Sequence, residues 1–373
     1  MHLSFLRPLY EHPGPWASAY LDASHDTEDA VKILDLRWRA ASERLAAAGA
    51  AEAVLGTLDT AVREHRPRPG RYGLAAFAAP GAPAHLEVTP VPPAEVTAAN
   101  AALPHVLPLV VLRGERVAWL RVVVDRTGAD LLGATEGGVP RTAQVTGTWE
   151  YPIRKVKPGG WSQPRYQRSA ENSWEHNAQE VADAVADLAT TVEPEVLVIA
   201  GDVRARTLLI EHLPERWRRR VLHSEVGSRA PGADPEPLDA VTAAAVADLA
   251  ARHRAETVDR FRAERGRDAA AGTGLGAAVA ALQRGQVDTL LAFGEPVDDP
   301  VWVGPEPTQL AMTADEVRAM GVAKPERVRA DAALLRAATA TEADLVLVSP
   351  GEVDLDAGVG ALLRYVDAST RRR

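Results

Sequence analysis

Between residues 117 and 213 short apolar runs alternate with amphipathic stretches, which restricts the chain to α/β architectures. Val117 to Val124 is apolar enough for a buried strand. Asp125-Arg-Thr-Gly128 turns the chain, and Ala129 to Gly133 returns as the second arm of a hairpin. A β-rich stretch continues to Tyr151. Trp174, Ala178, Val181, Val185 and Leu188 then recur at spacings of 4, 3, 4 and 3, one apolar stripe along a helix. Glu195 to Ala200 reads as a short buried strand, and Gly201-Asp202 leads into a helix over 204–213. Strands separated by helices imply a mainly parallel or mixed sheet.

The flanks read as two further units. Trp16 to Leu21 is expected to be a strand, with turn chemistry at Asp22 to Asp26. A helix over 28–48 would place Val31, Leu34, Trp38 and Leu45 on one face. Tyr72 to Ala79 reads as a strand. Prolines 80, 83, 90, 92 and 93 make the next stretch loop or edge strand. Leu107 to Leu112 is expected to be a strand leading to the linker Arg113-Gly-Glu-Arg116. Beyond 236, a long helix is expected over Leu238 to Arg267, and a short one over Leu275 to Arg284 closed by Gly285. Val287 to Phe293 reads as a strand, 328–339 as a helix and Asp344 to Val348 as a strand. Pro-Gly-Ala-Asp-Pro-Glu-Pro at 231–237 is the clearest linker. The expected domains are 1–115, 116–235 and 236–373, in keeping with about 150 residues per domain.

Composition narrows the function classes. Hydrophobic residues are 46% and charged residues 25%, ordinary for a globular chain. No run of about 18 apolar residues occurs, so no membrane span is expected. Met1-His-Leu-Ser-Phe-Leu-Arg7 does not read as a signal peptide. Cysteine is absent, which removes disulfides and thiolate chemistry. A cytoplasmic location follows as the simplest expectation. Lysine is confined to Lys32, Lys155, Lys157 and Lys324; the other cations are arginines. Arginine clusters therefore count for less in this chain, and lysines for more.

Two of those lysines lie in one unusual segment, Tyr151-Pro-Ile-Arg-Lys-Val-Lys-Pro-Gly-Gly-Trp-Ser-Gln-Pro-Arg-Tyr-Gln-Arg168. It carries Arg154, Lys155, Lys157, Arg165 and Arg168 with no acid, interleaved with Tyr151, Trp161 and Tyr166. Aromatic rings stack on bases while cations meet phosphates. Pro164 suits the start of a helix, which sets Arg165 and Arg168 in the first turn. There they oppose the helix dipole, so local stability does not explain them, whereas a bound polyanion such as RNA would. A solvated basic loop is the bland reading. The net charge of −9 argues against indiscriminate RNA binding and suits a focused basic patch on an acidic body.

Gly159-Gly160-Trp161-Ser162-Gln163, followed by Pro-Arg-Tyr-Gln-Arg and a long helix, resembles the Gly-Gly-Gln loop of archaeal and eukaryotic class-1 release factors. Gly358-Val-Gly-Ala-Leu-Leu-Arg-Tyr-Val366 is similar to the Gly-Ile-Gly-Gly-Ile-Leu-Arg-Tyr segment closing the third domain of those factors. Leu282-Gln-Arg-Gly-Gln-Val-Asp-Thr-Leu-Leu291 also resembles a segment of that domain. The chain resembles bacterial members of the release factor/Pelota superfamily, among them actinobacterial relatives of the hibernation factor Balon and peptidyl-tRNA hydrolase-like proteins. The resemblance implies a three-domain α/β protein that enters the ribosomal A site. Its middle domain would be ribonuclease-H-like, and its C-terminal α/β domain of the release-factor/ribosomal-protein type. Gly159, Gly160 and Gln163 would form the catalytic loop. Arg154, Lys155, Lys157, Trp161, Arg165, Tyr166 and Arg168 would contact RNA.

Two departures bear on function. The family triplet is contiguous, whereas Trp161 and Ser162 intervene here. The first unit also lacks the Asn-Ile-Lys-Ser motif, so stop-codon reading does not carry over. Two alternatives stay open: hydrolysis of peptidyl-tRNA on stalled ribosomes, or non-catalytic occupation of the A site in hibernation, with elongation factor Tu as a delivering partner. The ribosome, through rRNA and peptidyl-tRNA, is the expected partner; no DNA, membrane, cofactor or metal is. Asp125 and Asp202 after apolar strands suggest a metal-dependent nuclease only remotely, because Asp is favoured in such turns. Gly272-Thr-Gly-Leu-Gly276 imitates a phosphate loop but is expected to lack a preceding strand. His176 is expected on a solvated helix face. Arg216, Arg218, Arg219 and Arg220 around Trp217 form a second basic run, read as a helix end with surface charge or as an RNA contact.

Overall fold

The computed structural model describes residues 1–373 except 137, 139, 147–162, 268–269, 298 and 367–373; of residues 163–173 it describes the backbone alone. The chain forms two compact units, Glu115–His253 and the pair of segments Met1–Gly114 with Arg254–Arg373.

The first segment opens with a 3-10 helix over Ser4–Tyr10, then β1 (Trp16–Asp22), α1 (Ala30–Ala47), α2 (Glu52–Glu64), β2 (Gly73–Ala78), β3 (His85–Thr89), β4 (Thr97–Ala101) and α3 (Leu107–Arg113). The strands form an antiparallel sheet in the order β3-β2-β1-β4. Trp38, Ala41, Leu45, Leu58 and Val62 of α1 and α2 pack on one face with Leu21 and Leu74. The expected α1 stripe shifts at its start: Ala30 is buried and Val31 is 61% exposed. Neighbouring residues on a helix point about 100° apart, and a small alanine takes the inward place. Leu107 to Leu112, expected as a strand, is the helix α3. A short apolar run has no period that separates strand from buried helix. Pro108 suits the first helical turn, and Gly114 at φ +64° ends it.

The middle unit holds β5 (Trp119–Asp125), β6 (Gly128–Ala134), β7 (Pro140–Thr146), α4 (Gln163–Val192), β8 (Val196–Gly201), α5 (Val203–His212), α6 (Glu215–Arg218) and β9 (Val221–His223). Its mixed sheet has the order β7-β6-β5-β8-β9. β6 is antiparallel to both neighbours, and β5, β8 and β9 are parallel. On one face Leu120, Val122 and Val124 meet Val181 and Val185 of α4, Leu209 of α5 and Trp217 of α6. The other face is covered by the first half of α7 (Glu236–Gly266), where Leu238 packs against Val196, Val198 and Ala200. The unit therefore ends inside α7 rather than at the proline-rich stretch 231–237. Arg121 pairs with Asp239, and His253 sits between Glu115 at 3.1 Å and Glu195 at 3.0 Å.

Beyond α7 come β10 (Ala271–Thr273), α8 (Leu275–Gln283), β11 (Val287–Phe293), β12 (Pro300–Val303), β13 (Leu310–Ala311), α9 (Ala314–Ala319), β14 (Glu326–Arg329), α10 (Ala330–Ala340), β15 (Asp344–Val348) and β16 (Val359–Leu363). They build one sheet in the order β10-β16-β11-β15 and a small one in the order β13-β12-β14. The N-terminal segment shares a single core with this region: Leu6, Leu9, Leu109 and Val110 cluster with Leu282, Leu334 and Leu335. The helices α8 and α10 are apolar around most of their circumference because they are enclosed between these layers.

Candidate nucleic-acid interface

The 30-residue helix α4 carries the end of the basic segment. Gln163 is its first residue, and Arg165, Tyr166 and Arg168 lie within its first two turns. The first turn holds no acid, so nothing there offsets the positive end of the helix dipole. Gly159, Gly160, Trp161, Arg154, Lys155 and Lys157 lie outside the described residues, as do the side chains of Gln163, Arg165, Tyr166 and Arg168.

What anchors α4 is described. Ala178, Val181, Ala182, Val185, Ala189 and Val192 are all at most 6% exposed, so the expected stripe lies against the sheet. Three alanines share the burial with the larger residues, which lets the helix sit close to the strands. Trp174, toward the basic end, has guanidinium groups beside it. Arg126 lies 4.6 Å and Arg204 4.8 Å from its ring centroid, within cation–π range. Asn177 Nδ2 donates to the Arg126 carbonyl at 3.2 Å, tying the helix to the β5–β6 turn. A small crevice at the carboxyl ends of β5 and β8 is lined by Val124, Trp174, Ala178 and Leu208 among others. The Arg126–Trp174–Arg204 cluster was not legible as such. Its only trace in the sequence is an arginine shortly after each strand-ending aspartate.

Those aspartates are occupied structurally. Asp125 Oδ1 accepts from the Thr127 N–H and hydroxyl, both at 2.7 Å, and from Arg229 at 2.8 Å. Burial pushes the Asp125 carboxyl upward, but the Thr127 hydrogen bonds and the Arg229 guanidinium outweigh it and hold the pKa below the usual range. Asp202 caps α5, accepting from the N–H groups of Arg204 and Ala205, and lies 3.4 Å from Arg126. Among the described residues no group of three His, Asp or Glu is placed to hold a metal ion.

The second basic run is engaged within the unit. Trp217 is 5% exposed, with Arg216 and Arg220 against its ring. Arg218 donates to the carbonyls of Glu211 and Leu213, Arg219 pairs with Glu215, and Arg220 donates to the Pro194 carbonyl. His176 is 53% exposed and lies 3.7 Å from Glu180, on the solvated face expected. Gly272-Thr-Gly-Leu-Gly276, expected to lack a preceding strand, overlaps a short one: Gly272 and Thr273 lie within β10, which runs into α8 through Gly274. The Thr273 hydroxyl accepts from the Asp356 N–H at 2.8 Å, a contact within the fold. A three-residue strand bonded only to distant β16 has no local sequence signature.

Residues 118–267, the strands, basic segment and long helices just described, match the model of bacterial archaeo-eukaryotic release factor family 2. The whole chain is 35% identical over 372 residues to the uncharacterized proteins MT2704 and Rv2629 of two Mycobacterium tuberculosis strains, covering 98% of this chain and 97% of theirs. The chain belongs to the bacterial archaeo-eukaryotic release factor family. Similar solved structures include the archaeal termination factor aRF1 (15% identity, 97% of this chain and 96% of that one, TM-score 0.28). Archaeoglobus fulgidus Pelota matches at 12% identity over 98% and 92%, TM-score 0.34, and S. cerevisiae Dom34 at 10% identity over 80% of each chain, TM-score 0.42. No helix among the described residues is long and apolar enough to cross a membrane.

Proposed function

We propose that the protein binds the ribosomal A site and that the segment before α4 acts on the ester bond of peptidyl-tRNA in stalled ribosomes. The observation that carries this reading is the start of α4: the sequence Gly-Gly-Trp-Ser-Gln runs into a long anchored helix whose first two turns carry Arg165 and Arg168 and whose first turn holds no acid. The first four N–H groups of a helix lack intrahelical partners. The N–H of Gln163 is one of them, suited to a developing oxyanion. The neutral side-chain amide is a poor base, and its task is to hold a water in line with the ester carbonyl. Gly159 and Gly160 permit backbone torsions and close approach that a β-carbon would forbid. Arg154, Lys155, Lys157, Arg165 and Arg168 meet phosphates, and Trp161 and Tyr166 stack on bases.

A second reading rests on the inserted Trp161-Ser162. Two residues between the glycines and Gln163 alter the family triplet, as suits a hibernation factor that occupies the A site without hydrolysis and is delivered by elongation factor Tu. A release assay on purified ribosomes carrying labelled peptidyl-tRNA separates the two. For a hydrolase, Gln163→Ala lowers release by about 10²–10³ and leaves binding largely intact. Gln163→Pro, which removes the N–H, is at least as severe. Wild-type protein that binds tightly yet leaves peptidyl-tRNA intact in every stalled state would establish the second reading.

A further inference from the structure

In the unit built from 1–114 and 254–373, two strands are bonded on one side only among the described residues. β4 pairs with β1 at the end of one sheet, and β14 with β12 at the end of another. A groove of about 540 Å³ is lined by both. Its lining marks edges rather than faces. Successive side chains of a strand point to opposite faces, so a groove over one face meets alternate residues. Here Thr97, Ala98 and Ala99 all line it, as do Arg327, Val328 and Arg329. The groove follows the backbone edges, where N–H and C=O groups form a template for another strand.

Edges of this kind are usually blunted by lysine, proline or a bulge. The β4 sequence Thr-Ala-Ala-Asn-Ala has no charge and no proline, so a strand can approach it closely. The opposite side supplies selectivity. Arg327 is exposed and makes no ion pair among the described residues. His105 also lines the groove, and both its ring nitrogens are buried without a hydrogen-bond partner. Burial lowers the His105 pKa, keeping the ring neutral, with one donor and one acceptor.

We infer that this groove binds an extended acidic segment of a partner protein, which adds as a strand between β4 and β14. Backbone pairing supplies affinity, and Arg327 selects a carboxylate side chain. At about 3.3 Å per residue, a strand as long as β4 accommodates some five residues of the partner.

The test uses the full chain and a fluorescein-labelled Glu-Val-Glu-Val-Glu-Val peptide, read by anisotropy. Saturable binding is expected for this peptide and not for Lys-Val-Lys-Val-Lys-Val. N-methylation of alternate amides should weaken it at least about tenfold, since it blocks one row of strand hydrogen bonds. Arg327→Glu should cost about tenfold and Arg327→Lys much less, with unchanged circular dichroism and Tm showing that both variants fold. Amide exchange within 97–101 should slow when the peptide is bound. The inference fails if the acidic peptide does not saturate, if N-methylation makes no difference, or if a single-stranded RNA oligonucleotide protects 97–101 instead.

Discussion

Gly358 and Gly360 stand where a β-carbon has little room. Gly358 has φ +70°, and a β-carbon there would lie 2.8 Å from the Phe293 ring. One on Gly360 would lie 2.7 Å from a Leu355 methyl and 3.0 Å from two carbons of the fully buried Phe261 ring. The methyl can shift, whereas the enclosed ring resists. The Gly-Val-Gly signature near the C-terminus is thus a packing requirement of β16. Gly358→Ala should cost about 1–2 kcal/mol through the left-handed torsion, and Gly360→Ala about 1–3 kcal/mol through overpacking. Denaturant midpoints check both, and an unchanged Gly360→Ala midpoint would mean that Phe261 yields. Arg229 makes a second residue-level case. It reaches Asp125 at 2.8 Å and Asp130 at 3.1 Å, with side-chain exposures of 37% and 49% for the acids. Water screening keeps the expected cost of Arg229→Gln near about 1 kcal/mol at neutral pH. The Asp125 pKa is depressed on folding, so its contribution is present above about 3.9, the unfolded value, and is lost as pH falls through the lower folded value. Wild type and Arg229→Gln should therefore converge in urea stability as the pH falls below about 3.9 and through the lower folded value. A gap that persists there would place the effect in packing rather than charge.

At the scale of elements, α4 sets local stability against binding. Arg165 and Arg168 lie near a helix start that has no acid in its first turn. Replacing both with glutamate should stabilise the helix start, by roughly 0.3–1 kcal/mol at Arg165 and by less at Arg168 in the second turn. The same change should flatten the log–log salt dependence of ribosome binding by about 0.7 for each phosphate that loses its cation. Opposite signs for stability and affinity would mark a site kept for its ligand. Weaker binding without a change of salt slope would remove these residues from the interface. The helix tolerates such a start because its C-terminal half is held by the buried stripe from Ala178 to Val192.

For the whole molecule, the division of the core decides which fragments fold. Leu3, Leu6 and Leu9 from one end of the chain are at most 3% exposed and lie in one cluster with Leu334 and Leu335 from near the other. A fragment 236–373 lacks these partners and should show no cooperative thermal transition by circular dichroism until segment 1–114 is co-expressed. Fragment 115–253 keeps both faces of its sheet covered and should unfold cooperatively by itself. A cooperative transition for 236–373 alone would show that the shared core contributes little.

The sequence by itself determined most of the middle unit. The stripe from Trp174 to Leu188 carries the helical period because it buries one side, while Val117 to Val124 and the strand before Asp202 show as short apolar runs because the sheet is covered on both faces. It also marked the acid-free basic segment and the resemblance to release factors, since Gly-Gly-Trp-Ser-Gln and the distinctive lysines are local features. Tertiary structure decided the rest. Leu107 to Leu112 became a helix through Pro108 and Gly114 rather than through any apolar period. The short strands β10 and β14 exist because distant partners complete their hydrogen bonds. The stretch at 231–237 reads as a linker, yet Leu238 just beyond it packs on Val198 and Ala200 of the middle sheet. Periodicity reports that a face is buried and is silent about what covers it, so the core shared by the two ends of the chain emerged only when both were folded together.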